Sequence, residues 1–184
     1  MSGIDIITTF FRSVGNLIIN CIGFFMLPRI RERIIEDFKI VPYERSYYGA
    51  LLNLWKICGN FSGRDRLFLK LFGNKGCFLL TNKRGELVGF KYHYFNLTDL
   101  LNRRIHAAFV GIDPKIRHQG CAKLLVTEAN DSLRNTKWLR GLTTKFPKDQ
   151  VRKFPREYGY RVIGSTFDEK TKEEIYVAIH DFLS

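Results

Sequence analysis

The sequence predicts an α+β domain of the layered α/β type. A mixed, mostly antiparallel sheet of six to seven strands is flanked by helices, with an extra amphipathic helix at the N-terminus. Three observations predict it. Strand-like and helix-like stretches alternate from Phe38 onward. Asn82-Lys-Arg-Gly85 joins two strand-like runs as a hairpin. The first 37 residues differ from the rest in charge and polarity, which divides the chain into an appendage over 1–37 and a domain over 38–184. The chain has 184 residues, 45% of them hydrophobic and 14% aromatic, enough apolar surface to exclude a disordered polymer. Cys21, Cys58, Cys77 and Cys121 form no CxxC pair, which excludes a disulfide-built miniprotein and a zinc knuckle and fits free thiols in a reducing compartment. The net charge of +12 points to an anionic partner.

Arg12, Arg29, Arg31 and Arg33 are balanced by Asp5, Glu32, Glu36 and Asp37, so residues 1–38 are neutral and the excess charge lies beyond them. Ser13 to Pro28 carries no charge. The run falls short of the roughly 20 apolar residues that a spanning helix needs. A secretory signal fits poorly, because Asp5 precedes it and Arg29 follows it. Ile6, Phe10, Phe11, Val14, Leu17, Ile18, Cys21, Ile22 and Phe25 recur at helical spacing, and Pro28 ends the helix. Its apolar face packs on the body or on a second copy, making a homodimer through residues 4–27. Alternatively it lies in a membrane interface with Arg29, Arg31 and Arg33 at the headgroups.

The remaining elements follow in order. Phe38–Pro42 reads as a strand and Arg45–Cys58 as a helix. Leu67–Phe72 is a short apolar stretch, ended by Gly73-Asn74. Cys77–Thr81 and Glu86–Phe95 are the hairpin strands, since asparagine and glycine tolerate the turn between them. Arg104–Ile112 is a strand and Gly120–Arg134 a helix. Trp138–Thr144 is a strand, Lys148–Glu157 a helix, and Arg161–Phe167 and Glu174–His180 are the last strands.

Chemistry concentrates in Ile112–Leu125. A strand ends, a short basic loop follows, and a helix begins at small residues. The first N–H groups of a helix lack intrahelical partners and its dipole adds positive potential, a combination that suits a pyrophosphate. Gly120 and Ala122 allow close approach, and Arg117 adds charge.

Arg117-x-x-Gly120-x-Ala122, preceded by Val110-Gly-Ile112-Asp-Pro114, resembles the acyl-CoA-binding motif of the GNAT superfamily of N-acyltransferases. The order of elements from Phe38 to Ile179 is similar to that fold. The resemblance implies that backbone amides of Arg117, His118, Gln119, Gly120, Cys121 and Ala122 hold the pyrophosphate of acetyl-CoA. It implies that Val110 and Ile112 pair with the pantetheine arm, and that the thioester lies in a splay between that strand and Trp138–Thr144. An amine then attacks the acyl carbonyl directly, with a strand N–H near Val110 polarising it. No metal is implied. The family's usual tyrosine acid and its nearby asparagine correspond here to Pro155 and Lys148.

The residues offer substitutes. Tyr158 lies close in sequence to the missing acid. His106, on the strand entering the motif and of the same parity as Ala108, Val110 and Ile112, leads as base, with an intrinsic pKa near 6.5. His93 is a weaker candidate, His118 a phosphate neighbour, His180 a surface residue and Glu128 an outside choice. Cys121 as nucleophile lacks a visible base.

Lys137, Arg140, Lys145, Lys148, Arg152, Lys153, Arg156 and Arg161 face only Asp149 and Glu157, which is half of the net charge. CoA phosphates take part of it, and an anionic acceptor the rest. The expected activity is transfer of an acetyl or other short acyl group from acyl-CoA to a small amine, an amino sugar on a nucleotide carrier standing first. The alternative is a catalytically weak binding module whose basic face holds RNA, an acidic carrier protein or a membrane. The expected location is cytoplasmic, or peripheral on the inner face of the membrane.

Overall fold

The structure is a computed structural model that describes residues 3–59, 63–151, 157–167 and 172–182. It opens with helix α1 (Gly3–Phe25), followed by strands β1 (Arg33–Ile35) and β2 (Phe38–Pro42). A single 3₁₀ turn at Arg45–Tyr47 leads into α2 (Tyr48–Cys58), and α3 (Gly63–Gly76) follows. The hairpin β3 (Cys77–Asn82) and β4 (Leu87–Tyr94) is joined through α4 (Leu97–Leu101) to β5 (Arg104–Ile112). Then come α5 (Cys121–Arg134), β6 (Gly141–Pro147), β7 (Arg161–Phe167) and β8 (Glu174–Asp181).

The strands make one eight-stranded sheet in the order β1-β2-β3-β4-β5-β6-β8-β7. Every pair is antiparallel except β5 and β6. The strand beyond the expected six to seven is β1, hairpinned to β2 through Glu36-Asp37, with Glu36 at φ 52°. The Asn82–Gly85 turn forms as expected. Asn82 Oδ1 accepts from the N–H groups of Arg84 and Glu86, and Gly85 takes φ 76°.

Besides β1, three elements depart from the sequence reading. Gly73-Asn74 does not break α3, which runs on to Gly76. Gly73 is an opening for a ring: a Cβ there would clash with the Tyr43 ring. Asn96 caps α4, an unforeseen helix, by accepting from the Asp99 N–H at 2.8 Å. β6 begins at Gly141, not Trp138. The helix expected at Lys148–Glu157 falls largely on residues 152–156, outside the described part; Lys148–Gln150 form a 3₁₀ turn, and Glu157 and Tyr158 are helical.

The sheet has a core on each face. α5 covers one face with Leu125, Ala129 and Leu133 over Phe78, Ile105, Ile112 and Leu142. α2 and α3 cover the other with Leu51, Trp55 and Leu69 over Leu79, Phe90 and Tyr92. Trp55, Phe90 and Phe109 stack at centroid distances of 4.7 to 5.8 Å. The inner face of α1 joins the core. Phe24 packs on Phe72 and Phe95, and the Asn20 amide grips both backbone groups of Phe95 at 2.8 Å. Asn20 is therefore a fully used polar contact inside an apolar helix. Among the described residues no helix is long and apolar enough to cross a membrane.

Candidate active site

The site is built on β5. This strand pairs with β6 through only Arg104, Ile105 and His106, opposite Gly141, Leu142 and Thr143. Beyond that point β5 stays with β4 and β6 stays with β8, so the two strands part and leave a cleft. The parting coincides with a bulge. Tyr92 pairs with Phe109 and His93 with Ala107, which leaves Ala108 as the extra residue. The bulge overturns the expected alternation, since one added residue exchanges the faces beyond it. Ile105 and Ile112 pack in the same core although their parities differ. His106 thus stands on the opposite face from Val110 and Ile112.

At the far end of β5, Asp113 accepts from the Lys115 N–H at 2.9 Å and shapes the turn. His118 at φ 66° and Gly120 at φ 78° complete the loop, and Gly120 is the N-cap of α5. No side chain caps this helix, so its first N–H groups are open. Gly120, Cys121, Ala122 and Lys123 line a cavity of about 500 Å³ with Val110, Ile112, Arg117, His118 and Tyr158. Arg117 is held across the loop by its Nε bond to the Ile112 carbonyl at 3.3 Å. Two cations, a left-handed glycine and a bare helix start fit a pyrophosphate, with Glu157 the one carboxylate among the lining residues.

The cleft itself is a second cavity of about 280 Å³, sharing Val110 with the first. Lys91, Ala107, Ala108, Thr144 and Tyr160 line it. Lys91 is 2% exposed and its Nζ donates to Asn130 Oδ1 at 3.2 Å, with no carboxylate in the pair. Burial lowers its pKa to about 7. Sequence reasoning missed this residue. The signal was a lysine in the middle of a central strand, flanked by Phe90 and Tyr92.

His106 faces a third cavity of about 550 Å³, bordered by Asn16, Tyr94, Asn96, Leu97, Asp99, Arg104, Thr143 and Lys145. Lys145 lines both this cavity and the cleft. The Thr143 hydroxyl donates to Asp99 Oδ1 at 2.7 Å and lies 3.0 Å from His106 Nδ1. Its proton is committed to Asp99, so Nδ1 carries the imidazole hydrogen and Nε2 the lone pair. Burial lowers the His106 pKa to about 4, with the Lys145 charge acting in the same direction. Burial likewise raises that of Asp99. Asn96 Nδ2 also donates to Asp99 Oδ2, closing the network.

Solved structures share the overall fold that carries this cleft. The chain superposes on Ard1 from Thermoplasma volcanium with a TM-score of 0.66 and 13% identity, covering 80% of this chain and 99% of that one. The ribosomal-protein-S18-alanine N-acetyltransferase from Escherichia coli gives 0.62 and 14%, covering 80% and 95%. The NatC complex bound to Gag peptide and CoA gives 0.66 and 12%, covering 80% and 99%. The chain has the GNAT fold. No family model and no curated protein sequence matches it.

Within this GNAT fold the sequence-derived candidates separate. Val110, Ile112, Arg117, His118, Gly120, Cys121 and Ala122 come together at the first cavity, whereas Gln119 is exposed and outside its lining. Tyr158 belongs to that cavity too, so it is not beside His106. Its pKa is raised by burial and by Glu157. Cys121 is 2% exposed and packs in the core beside the cavity, and burial raises its thiol pKa, the opposite of what activates a nucleophile. His93 is fully buried against Phe78, its Nδ1 3.4 Å from the Gly76 carbonyl. His180 contacts the carbonyls of Tyr158 and Gly159, and Glu128 is paired with Arg33 at 3.1 Å. Of the basic stretch, Arg152, Lys153 and Arg156 lie outside the described residues, as does Pro155. Arg161 is tied to Asp181 at 3.7 Å.

Proposed function

We propose that the chain is an acyl-CoA-dependent N-acyltransferase that moves an acetyl or other short acyl group to an amine by direct attack. One observation carries this reading. β5 and β6 part after three paired residues, and the cleft they leave adjoins a cavity of about 500 Å³ along β5 and a separate cavity beyond His106.

The first N–H groups of α5, with Arg117 and Lys123, hold the donor pyrophosphate. The edge of β5 at Val110 and Ile112 extends toward the cleft as a backbone ladder for the pantetheine arm. The bulge takes Ala108 out of the β4 ladder, which supports a role for a backbone N–H there as the oxyanion donor. On the acceptor side His106 Nε2 takes the proton released as the new C–N bond forms. Thr143 and Asp99 hold the tautomer that makes this possible. On the donor side the C–S bond breaks and the leaving thiolate needs a proton. Lys91, with Tyr160 beside it, stands where the absent tyrosine acid would be missed. An ammonium with a pKa near 7 gives up its proton readily. Lys145 at the acceptor cavity, beside an Arg104 already paired with Asp181, favours an amine that also carries a negative group, of which an amino sugar on a nucleotide carrier is one.

Isothermal titration with acetyl-CoA, followed by thiol release across a panel of amines, tests the reading. Heat of binding and protection of residues 112–125 from hydrogen exchange are expected. No heat and no protection would overturn it in favour of a binding module.

A further inference from the structure

The outer face of α1 has no cover among the described residues. Val14, Ile18, Ile22 and Phe25 recur every three to four residues and share one face, with Ile18 54%, Ile22 52% and Phe25 83% exposed. The opposite face is fixed: Asn20, Phe24 and, just past the helix end, Leu27 are buried. α1 therefore cannot turn its apolar stripe inward. α3 and α4 pack against α1, and each carries exposed apolar side chains of its own, Leu67 and Leu71 on α3 and Leu97 and Leu101 on α4. Exposed apolar side chains gathered from three adjoining helices mark a contact surface.

Charge selects the occupant. Between Asp5 and Glu32 the chain has no carboxylate, while Arg12, Arg29 and Arg31 are exposed. Arg66 and Lys70 are exposed on α3 beside Leu67 and Leu71. A second copy would bring these cations against one another. An anionic lipid surface accepts both features, the apolar stripe below the headgroups and the arginines among them.

The same helices border the acceptor cavity. Asn16 of α1 and the half-exposed Leu97 of α4 are among its lining residues. Deeper in stand His106 and Asp99 for an amine. Lys145 stands there for a phosphate, beside Arg104, whose guanidinium is paired with Asp181 at 2.7 Å and whose buried Nε has no hydrogen-bond partner. We propose that the outer face of α1, with α3 and α4, seats on an anionic bilayer, and that the His106 cavity takes its amine from a phosphoethanolamine-type headgroup there. The second half rests on the acyltransferase reading above; the first half does not.

The test uses the full chain. Flotation with phosphatidylcholine–phosphatidylglycerol vesicles should carry it upward, and pure phosphatidylcholine should carry much less. Ile18→Glu combined with Ile22→Glu should weaken binding at least about tenfold. Its thermal midpoint and acetyl-CoA affinity should stay unchanged, because both side chains are already exposed. A chain that floats with neither vesicle overturns the proposal. So does a dimer in light scattering that the double variant dissociates, since a second copy then covers the face. With acetyl-CoA supplied, thiol release should be faster on vesicles containing phosphatidylethanolamine than with soluble phosphoethanolamine at equal amine concentration. Equal rates overturn the headgroup assignment. A chain that floats but binds no acetyl-CoA refutes the acyltransferase reading and leaves the docking surface standing.

Discussion

His106 and Lys91 are both buried bases, and each carries a sign that can be checked. His106 has a folded pKa of about 4 against an ordinary value of 6.5. Between those values the unfolded chain binds a proton that the folded chain does not. The contribution of this group is therefore complete above pH 6.5 and is lost as the pH falls toward 4, by about 3 kcal/mol. Urea unfolding of wild type and His106→Asn at pH 7 and pH 5 isolates the contribution, because His93 shifts in the same direction in both proteins. The variant should lose less stability between the two pH values. As the base, His106 should place the acid limb of the rate profile near pH 4, well below the ordinary histidine value. His106→Ala should lower kcat about a hundredfold with acetyl-CoA affinity unchanged. Lys91 has the same sign in a different window. Its folded pKa of about 7 lies below the ordinary 10.5, so stability falls as the pH drops from 10.5 to 7. Lys91→Met should therefore be more stable than wild type by about 2 kcal/mol at pH 7, with a smaller gain at pH 9, while thiol release slows. A variant both more stable and slower separates a functional lysine from a structural one.

Among the elements, the β5–α5 junction was the most legible in the sequence and α3 the least. Gly120 needed no alignment to be seen, because a small residue at a strand-to-helix turn is what an open helix start requires. Its φ of 78° and the free space around it agree. Gly120→Val would force a β-branched residue into the left-handed region and place its methyls in the phosphate cavity. Acetyl-CoA affinity should fall by at least about a hundredfold in titration calorimetry, with β-sheet content unchanged by circular dichroism. In α3 the sequence signal misleads for a tertiary reason. Gly73 reads as a breaker locally, yet it remains helical because Tyr43, thirty positions earlier, needs the space of its missing side chain. Gly73→Ala should improve helix propensity and still cost about 1–3 kcal/mol by overpacking. The Ala108 bulge was invisible for the same kind of reason. Nothing in Ala-Ala-Phe announces an extra residue, and the face of His106 depended on it.

At the scale of the whole molecule, the N-terminal helix has two faces with different consequences, which the composition of residues 1–38 could not distinguish. Sequence pattern supplied the helix and its end before Pro28, but an apolar side chain looks the same whether it meets Phe95 or solvent. The structure divides them. Phe24 stacks with Phe72 at 5.0 Å, Asn20 closes the backbone of Phe95, and Lys75 donates to the Phe24 carbonyl at 2.7 Å. Removing residues 1–28 would strip these contacts together and expose Phe72 and Phe95. The truncated chain should lose its cooperative thermal transition or unfold far below the full chain. Phe24→Ala alone should cost about 3–5 kcal/mol. By contrast, Ile18→Glu should leave the transition where it is. If truncation left the midpoint intact, α1 would be a detachable appendage and its inner contacts would contribute nothing to the fold. A loss on truncation alongside an unmoved Ile18→Glu midpoint would show that one helix serves the core with one face and leaves the other free for a partner.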